Sequence, residues 1–347
     1  MSADRAILCI HIPWSSNAPH VHRCGHIYRR VADGSEPKPE NDRFILDQLW
    51  KRSERINKEY KKWVKRPIKL ADAEKDIPFL RLLITADLWG DRDIYHDISL
   101  EQFRKIVGDG TGTIPATPFD TAHTTASGFV ARQLAGNDPG NLGLTFKFWN
   151  DLTFEILVPL PFYSAPLNEL SGMLDGYEHQ DRFINILRNH NCRKVRVIDL
   201  NLLLYTLLGA FRISDELCSI ANWREPLFAK ARMTNIWRTQ PFLDVPHTLD
   251  CMESYGLPMC LDDEVFVTPG TGPSSFLEIS PYLDTDTADG RVFLKAFRLF
   301  IPIAEAFGIP GWHSGDDKEV TFMSELLAAG TRAIEAQRLR AAKFHRR

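Results

Sequence analysis

The 347-residue chain has no CxxC pair, its six cysteines standing apart at positions 9, 24, 192, 218, 251 and 260. That scatter excludes a zinc ribbon and, at this length, a disulfide framework, so the thiols are expected to be reduced and mostly buried. A long hydrophobic run is missing as well. The longest, residues 200–211, is interrupted by Asn201 and Thr206 and falls short of the roughly 20 residues that cross a bilayer. It reads as a buried helix. No charged leader with an apolar core and a small-residue cleavage site opens the chain, so a cytoplasmic protein without membrane attachment is expected. The Gly-rich segment 108–113 lacks the Gly-Lys-Ser/Thr of a Walker loop and reads as a flexible loop. A nucleophile elbow is also absent, which sets hydrolase triads aside. There is no internal repeat and no low-complexity tract.

What is present is ordinary globular composition, 44% hydrophobic and 25% charged, so disorder is not the default reading. The net charge of −3 conceals an asymmetry. Residues 1–70 hold fifteen Lys and Arg against eight Asp and Glu, residues 71–331 hold 21 against 36, and residues 332–347 hold six against one. Basic ends flank an acidic middle, and a basic amino-terminal region points to a polyanion as partner.

The amino-terminal stretch 7–39 carries the pattern with most chemistry. Ile7, Leu8, Ile10 and Ile12 form a β-branched run stopped by Pro13, and residues 26–31 offer a second strand before the turn signal Asp33-Gly34-Ser35. These two strands are expected to pair. Alternation along the second sends Arg29 to one face and Tyr28 and Arg30 to the other. From Asn41 to Arg66, Ile45, Leu46, Leu49, Ile56, Tyr60, Trp63 and Val64 recur at helical spacing. Lys51, Arg52, Arg55, Lys58, Lys61, Lys62, Lys65 and Arg66 fall on the opposite sector, interrupted only by Glu54 and Glu59. Asn41 or Asp42 can cap this helix and Pro67 stop it. The face is either a solubilising surface or an electrostatic strip for a phosphate backbone.

The strand ending Ile10-His11-Ile12-Pro13, the loop with Ser15, Ser16, Pro19 and His20, Gly25 before Tyr28-x-Arg30, and Ser35 and Pro37 leading into a helix together resemble the Schlafen AlbA-like domain. That family occurs in bacterial transcriptional regulators and in animal Schlafen proteins, and the likeness covers residues 6–56. It implies nucleic-acid binding, with ribonuclease activity in some animal members. The family's first half, a helix and strands with a Glu-rich motif and a nearby Lys, would precede residue 6, so no catalytic residue carries over. Whether the sequence starts late or a later segment completes the sheet stays open.

Beyond a linker at 68–76, residues 76–170 read as a small α+β region. It opens with the run 79–84, then a helix over 99–107 with a capping box from Ser99 to Gln102. A loop-rich stretch over 108–141 and strands over 145–149 and 153–160 follow. Residues 178–347 read as mostly helical, with helices over 179–189, 198–211, 214–223, 226–239, 291–307 and 318–347, and one short strand at 265–268. The fold class expected is therefore α+β: a partial AlbA-like strand-loop-strand-helix module over 1–67, the small α+β region, and the helical region.

Three constellations compete with the module. His20, His22, Cys24 and His26, two apart, would share one face of an extended chain and could hold zinc, but ligands so spaced rarely close a tetrahedron unaided. Asp262, Asp263, Glu264, Asp284, Asp286 and Asp289 could serve two metal ions, although carboxylates in Pro/Gly-rich loops are usually solvated. Trp223, Arg224, Lys230, Arg232, Trp237 and Arg238 mix aromatics and cations as single-strand binders do, while the 14-residue Trp spacing suits core or interface anchors. No metal and no cofactor is called for.

The expectation that results is a nucleic-acid-binding regulator or defence factor, with DNA preferred over RNA. Arg23, Arg29, Arg30 and Lys38 would neutralise phosphates, and Ser15, Ser16, Asn17 and His20 would hydrogen-bond the backbone. The helical region is expected to mediate homodimerisation or partner contact. A Schlafen-type metal-dependent nuclease and an interaction scaffold with a degenerate module are the alternatives.

Overall fold

The computed structural model describes residues 19–29, 36–88, 96–109, 119–134, 138–279, 287–309 and 317–344, the side chains of 317–320 and 337–344 excepted. The chain divides into two compact units. The first comprises Met1–Pro67, Trp89–Asp91 and Gly270–Ser275, and the second Ile68–Leu88, Arg92–Pro269 and Phe276–Arg347. With 43% helix and 22% strand the fold is α+β.

In the first unit β1 (Tyr28–Arg29) and β2 (Lys38–Pro39) form a two-stranded antiparallel ladder. The second expected strand is thus present over two residues, while the first lies outside the described residues. Helix α1 (Arg43–Val64) follows, capped by Asp42, whose carboxylate accepts a 2.8 Å hydrogen bond from Phe44 N.

In the second unit the order is β3 (Phe79–Thr85), α2 (Leu100–Gly108), β4 (Thr121–Thr125), β5 (Gly128–Arg132), β6 (Thr145–Trp149), β7 (Thr153–Pro159), β8 (Phe162–Pro166), α3 (Leu167–Met173), α4 (Gln180–Asn189), β9 (Lys194–Asp199) and α5 (Leu203–Ile220). Then come β10 (Leu227–Thr234), β11 (Gln240–Phe242), α6 (Pro246–Tyr255), β12 (Glu264–Phe266), β13 (Leu277–Ile279), α7 (Ala288–Ala306) and α8 (Asp317–Phe344). Strands β12-β10-β3-β7-β6-β5-β4 make one antiparallel sheet, with β13 also on β10. Residues 76–170 and 178–347 are therefore not separate regions. They share this sheet, because β10 pairs along the whole of β3.

Alternation builds the main core. Leu80, Leu82 and Ile84 of β3, Phe154, Ile156 and Val158 of β7, and Ala229, Ala231 and Met233 of β10 face one side. Against them pack Phe103 of α2, Leu207 and Phe211 of α5, and Phe300 of α7. Each fully buried Phe or Leu contributes about 1.5–3 kcal/mol. Most apolar residues of α5 and α7 are thus buried inside the unit. A second core lies between α3, α4 and α6 and the three-stranded sheet β11-β9-β8, with Leu170, Phe183, Val195, Val197, Phe242 and Leu249.

Several expectations change. Residues 226–239 form strand β10 and a loop rather than a helix. Ala, Lys, Arg and Met favour helices intrinsically, but pairing on both sides outweighs that preference. Residues 198–223 hold the end of β9 and the single helix α5, which runs through Arg212 and Ser214, the latter bonding back to Ala210 O at 2.8 Å. The stretch read as loop over 108–141 contains the β4–β5 hairpin. Its Thr- and His-rich edge strand shows no apolar alternation to betray it. Among the described residues no helix is long and apolar enough to cross a membrane.

Candidate functional site

The residues singled out for nucleic-acid contact fall in the first unit. Of these, Ser15, Ser16, Asn17 and Arg30 lie outside the described residues. His20, Arg23, Arg29 and Lys38 are exposed. The β1–β2 register sets Arg29 opposite Lys38, so the ladder brings these two cations together on one face. Arg29 is not an isolated cation, however. Its Nε lies 2.5 Å from Oε2 of Glu40, whose side chain is only 6% exposed. Glu40 N in turn donates to Ile27 O at 2.7 Å, which holds the acid beside the ladder. Sequence reading missed this partner because it follows from the strand register across a turn, not from spacing along the chain.

Helix α1 realises its amphipathic pattern. Ile45, Leu46, Leu49, Ile56, Tyr60 and Trp63 are half-buried and Val64 is buried, whereas Lys51, Arg55, Lys58, Lys61 and Lys62 are exposed. At 100° per residue Lys51, Arg55, Lys58 and Lys62 lie within about 60° of one another and span roughly 16 Å along the axis. Arg43 approaches Asp47 at 4.0 Å near the start of the helix. Lys51, Arg55, Lys58, Lys61 and Lys62 make no ion pair among the described residues. Glu54 and Glu59 stand one turn from these cations on either flank of the strip, but two acids against five cations leave the face net positive.

The His20 to His26 segment is not an extended row. Gly25 takes φ +83°, and the chain turns back, with Gly25 N donating to His22 O and His22 N to His26 O, both at 2.8 Å. The four side chains therefore do not share a strand face. Among the described residues no three His, Cys, Asp or Glu side chains are gathered to hold a metal. The turn instead places His22 Nδ1 2.9 Å from Cys24 Sγ, with Tyr28 Oη 3.4 Å from the same sulfur.

Hydrogen bonds from Tyr28 and His22 lower the Cys24 thiol to about 6. Burial acts in the opposite direction on Cys192, Cys251 and Cys260, and pushes Cys218 up to about 12. A depressed thiol is a thiolate above its pKa, so at pH 7 limiting iodoacetamide should alkylate Cys24 ahead of these four. Its rate should fall to half near pH 6, and Tyr28→Phe should move that midpoint upward. Peptide mapping by mass spectrometry checks the order; equal labelling of Cys24 and Cys192 would contradict it.

The carboxylates 262–264 are exposed, with Glu264 paired to Arg232 at 2.8 Å; Asp284 and Asp286 lie outside the described residues. The aromatic and cationic group from Trp223 to Arg238 is split by the fold. Trp223 packs on the main core, Lys230 and Arg232 are buried in β10, and Trp237 and Arg238 stand exposed on the loop after it. Comparison of the chain with protein-family models, with curated proteins and with solved structures gives no match.

Proposed function

We propose that the chain binds nucleic acid, DNA in the first instance, through its first unit, as a regulator or defence factor of the kind the Schlafen AlbA-like resemblance implies. The observation that carries the reading is the exposed strip on α1, Lys51, Arg55, Lys58 and Lys62 with Lys61 at its margin, five cations flanked by only Glu54 and Glu59. Arg23 and Lys38 add exposed cations in the same unit. Phosphates spaced along a backbone meet such a strip by displacing condensed counterions, so affinity follows salt rather than sequence. Arg29, matched by Glu40, contributes less than its position suggested.

Fluorescence anisotropy of a labelled duplex across a salt series tests this. With four to five phosphates neutralised, binding should weaken roughly 150- to 500-fold between 50 and 200 mM salt. Lys51→Gln/Arg55→Gln/Lys58→Gln/Lys62→Gln should flatten that dependence, while Arg29→Ala alone should change the slope by less than one phosphate. A salt slope that the fourfold variant leaves intact would refute the assignment. The same assay with labelled RNA and Mg²⁺ separates a binder from a nuclease, since only cleavage shortens the label.

A further inference from the structure

The second unit carries a cleft of about 770 Å³, within the roughly 300–1,000 Å³ typical of small-ligand sites. Its wall holds three cations, Lys194, Arg196 and Arg238, against one acid, Asp76, with Phe162 and Met259 as apolar surface. Two independent features of the backbone place these groups. In the three-stranded sheet Ser164 of β8 lies opposite Arg196 of β9, and Phe162 and Lys194 occupy positions two residues away on the same face. The alternate residues Val195 and Val197 anchor the strand in the second core. Arg238 reaches the cleft from the loop between β10 and β11, in the left-handed region at φ +54°.

That conformation is costly for a residue with a Cβ, and the loop is held in it by its surroundings. Arg238 N donates to Cys260 O at 2.8 Å and Cys260 N to Thr239 O at 2.9 Å. Asn235 Nδ2 donates to the carbonyls of Lys75 and Ile77, both at 2.9 Å. The Arg238 guanidinium lies 5.6 Å from the ring centre of Trp237, which is 41% exposed. Arg196 stands over Phe162 at 5.2 Å, and its Nε is buried without a hydrogen-bond partner.

We infer that this cleft binds a nucleoside phosphate, with Lys194, Arg196 and Arg238 holding the phosphate and a base stacking against the Arg196–Phe162 surface. Three cations against one acid leave two positive charges, matching the dianion of a phosphate monoester. Planar guanidinium and aromatic faces receive a base, and Ser164 and Asp76 offer polar partners to its sugar or ring edge. The ligand arrives either as a free nucleotide or as the 5′-terminal nucleotide of a single strand. The inference uses no residue of α1 and stands apart from the function proposed above.

Titration calorimetry of the full chain with AMP, a 5′-phosphorylated trinucleotide and inorganic phosphate tests it. AMP or the trinucleotide should bind at least about tenfold more tightly than inorganic phosphate. Arg238→Gly should weaken binding by about tenfold or more without lowering the melting temperature, because glycine accepts φ +54° freely. Arg196→Met, which keeps an apolar stem on Phe162, should weaken it similarly. Equal affinity for AMP and the trinucleotide identifies the free nucleotide as the source; a trinucleotide about tenfold tighter identifies a strand end. No heat with any probe at about 1 mM, phosphate binding as well as AMP, or indifference to both substitutions overturns the inference. Repeating the titration on the fourfold α1 variant separates this outcome from failure of the α1 reading.

Discussion

Replacing Asp244 by Ala should destabilise the second unit by about 3–5 kcal/mol, measured as a shift in urea midpoint at constant slope. Asp244 is fully buried just beyond β11. Its carboxylate accepts from His179 N at 2.8 Å, Glu178 N at 3.2 Å and Arg332 Nε at 2.8 Å. Arg332 also donates to the Asp244 carbonyl at 2.7 Å and pairs with Glu178 at 3.1 Å. Beneath this lies Asn201, which accepts from Asp244 N at 2.7 Å and donates through Nδ2 to buried Asp199 at 2.8 Å; Tyr177 Oη donates to the other Asp199 oxygen. Ala at 244 leaves two backbone N–H groups and a guanidinium edge without their acceptor, and each such loss costs about 1–3 kcal/mol. Asn keeps one acceptor oxygen, so Asp244→Asn should fall between wild type and Ala. A loss under about 1 kcal/mol for Asp244→Ala would mean that water replaces the carboxylate and that the network is not what ties α8 to the strand ends.

Glu155→Ala should cost a similar amount, about 3–5 kcal/mol, for a different reason. Arg81 is 1% exposed, and its Nε lies 2.5 Å from Glu155 Oε1, while Lys147 Nζ reaches Oε2 at 3.0 Å. Removing the acid leaves a desolvated guanidinium in the face of the sheet opposite the main core. The double variant Arg81→Leu/Glu155→Leu removes both charges, and with Leu83 and Leu157 as cross-strand neighbours it should recover most of the loss. Burial alone would raise the Glu155 carboxyl, but the charges of Arg81 and Lys147 hold it below its ordinary value of 4.5. Its stabilising contribution is therefore fully present above pH 4.5 and disappears as pH falls through the lower folded-state value. Urea midpoints taken from pH 6 down to 3 should fall more steeply for wild type than for the double Leu variant. Parallel profiles would show that other carboxylates dominate acid unfolding.

The elements legible in the sequence are those specified within one window. Asp42 and the apolar stripe define α1, Ser99 with Gln102 defines the start of α2, and the aromatic runs 145–149 and 153–159 define β6 and β7. Each contains its own period and its own cap, so local sterics and burial suffice. The basic face of α1 is of this kind, because residues three and four apart necessarily meet on one side of a helix.

What tertiary structure alone decided are the pairings between distant segments. Strand β10 is written in helix-forming residues and becomes a strand only because β3 and β12 satisfy its backbone. Arg29 loses its freedom to Glu40 only once the register of β1 and β2 is set. Phe162, Arg196 and Arg238 come together only when β8, β9 and the loop before β11 assemble. Hydrogen bonds across a sheet carry no trace in the spacing of either partner, since the energy belongs to the pair and not to the segment. The amino-acid order therefore determined the helices that carry their own period and cap, α1 and α2 among them, and the charge they display, and the closing of the sheets determined which charges are matched and which are left to meet a ligand.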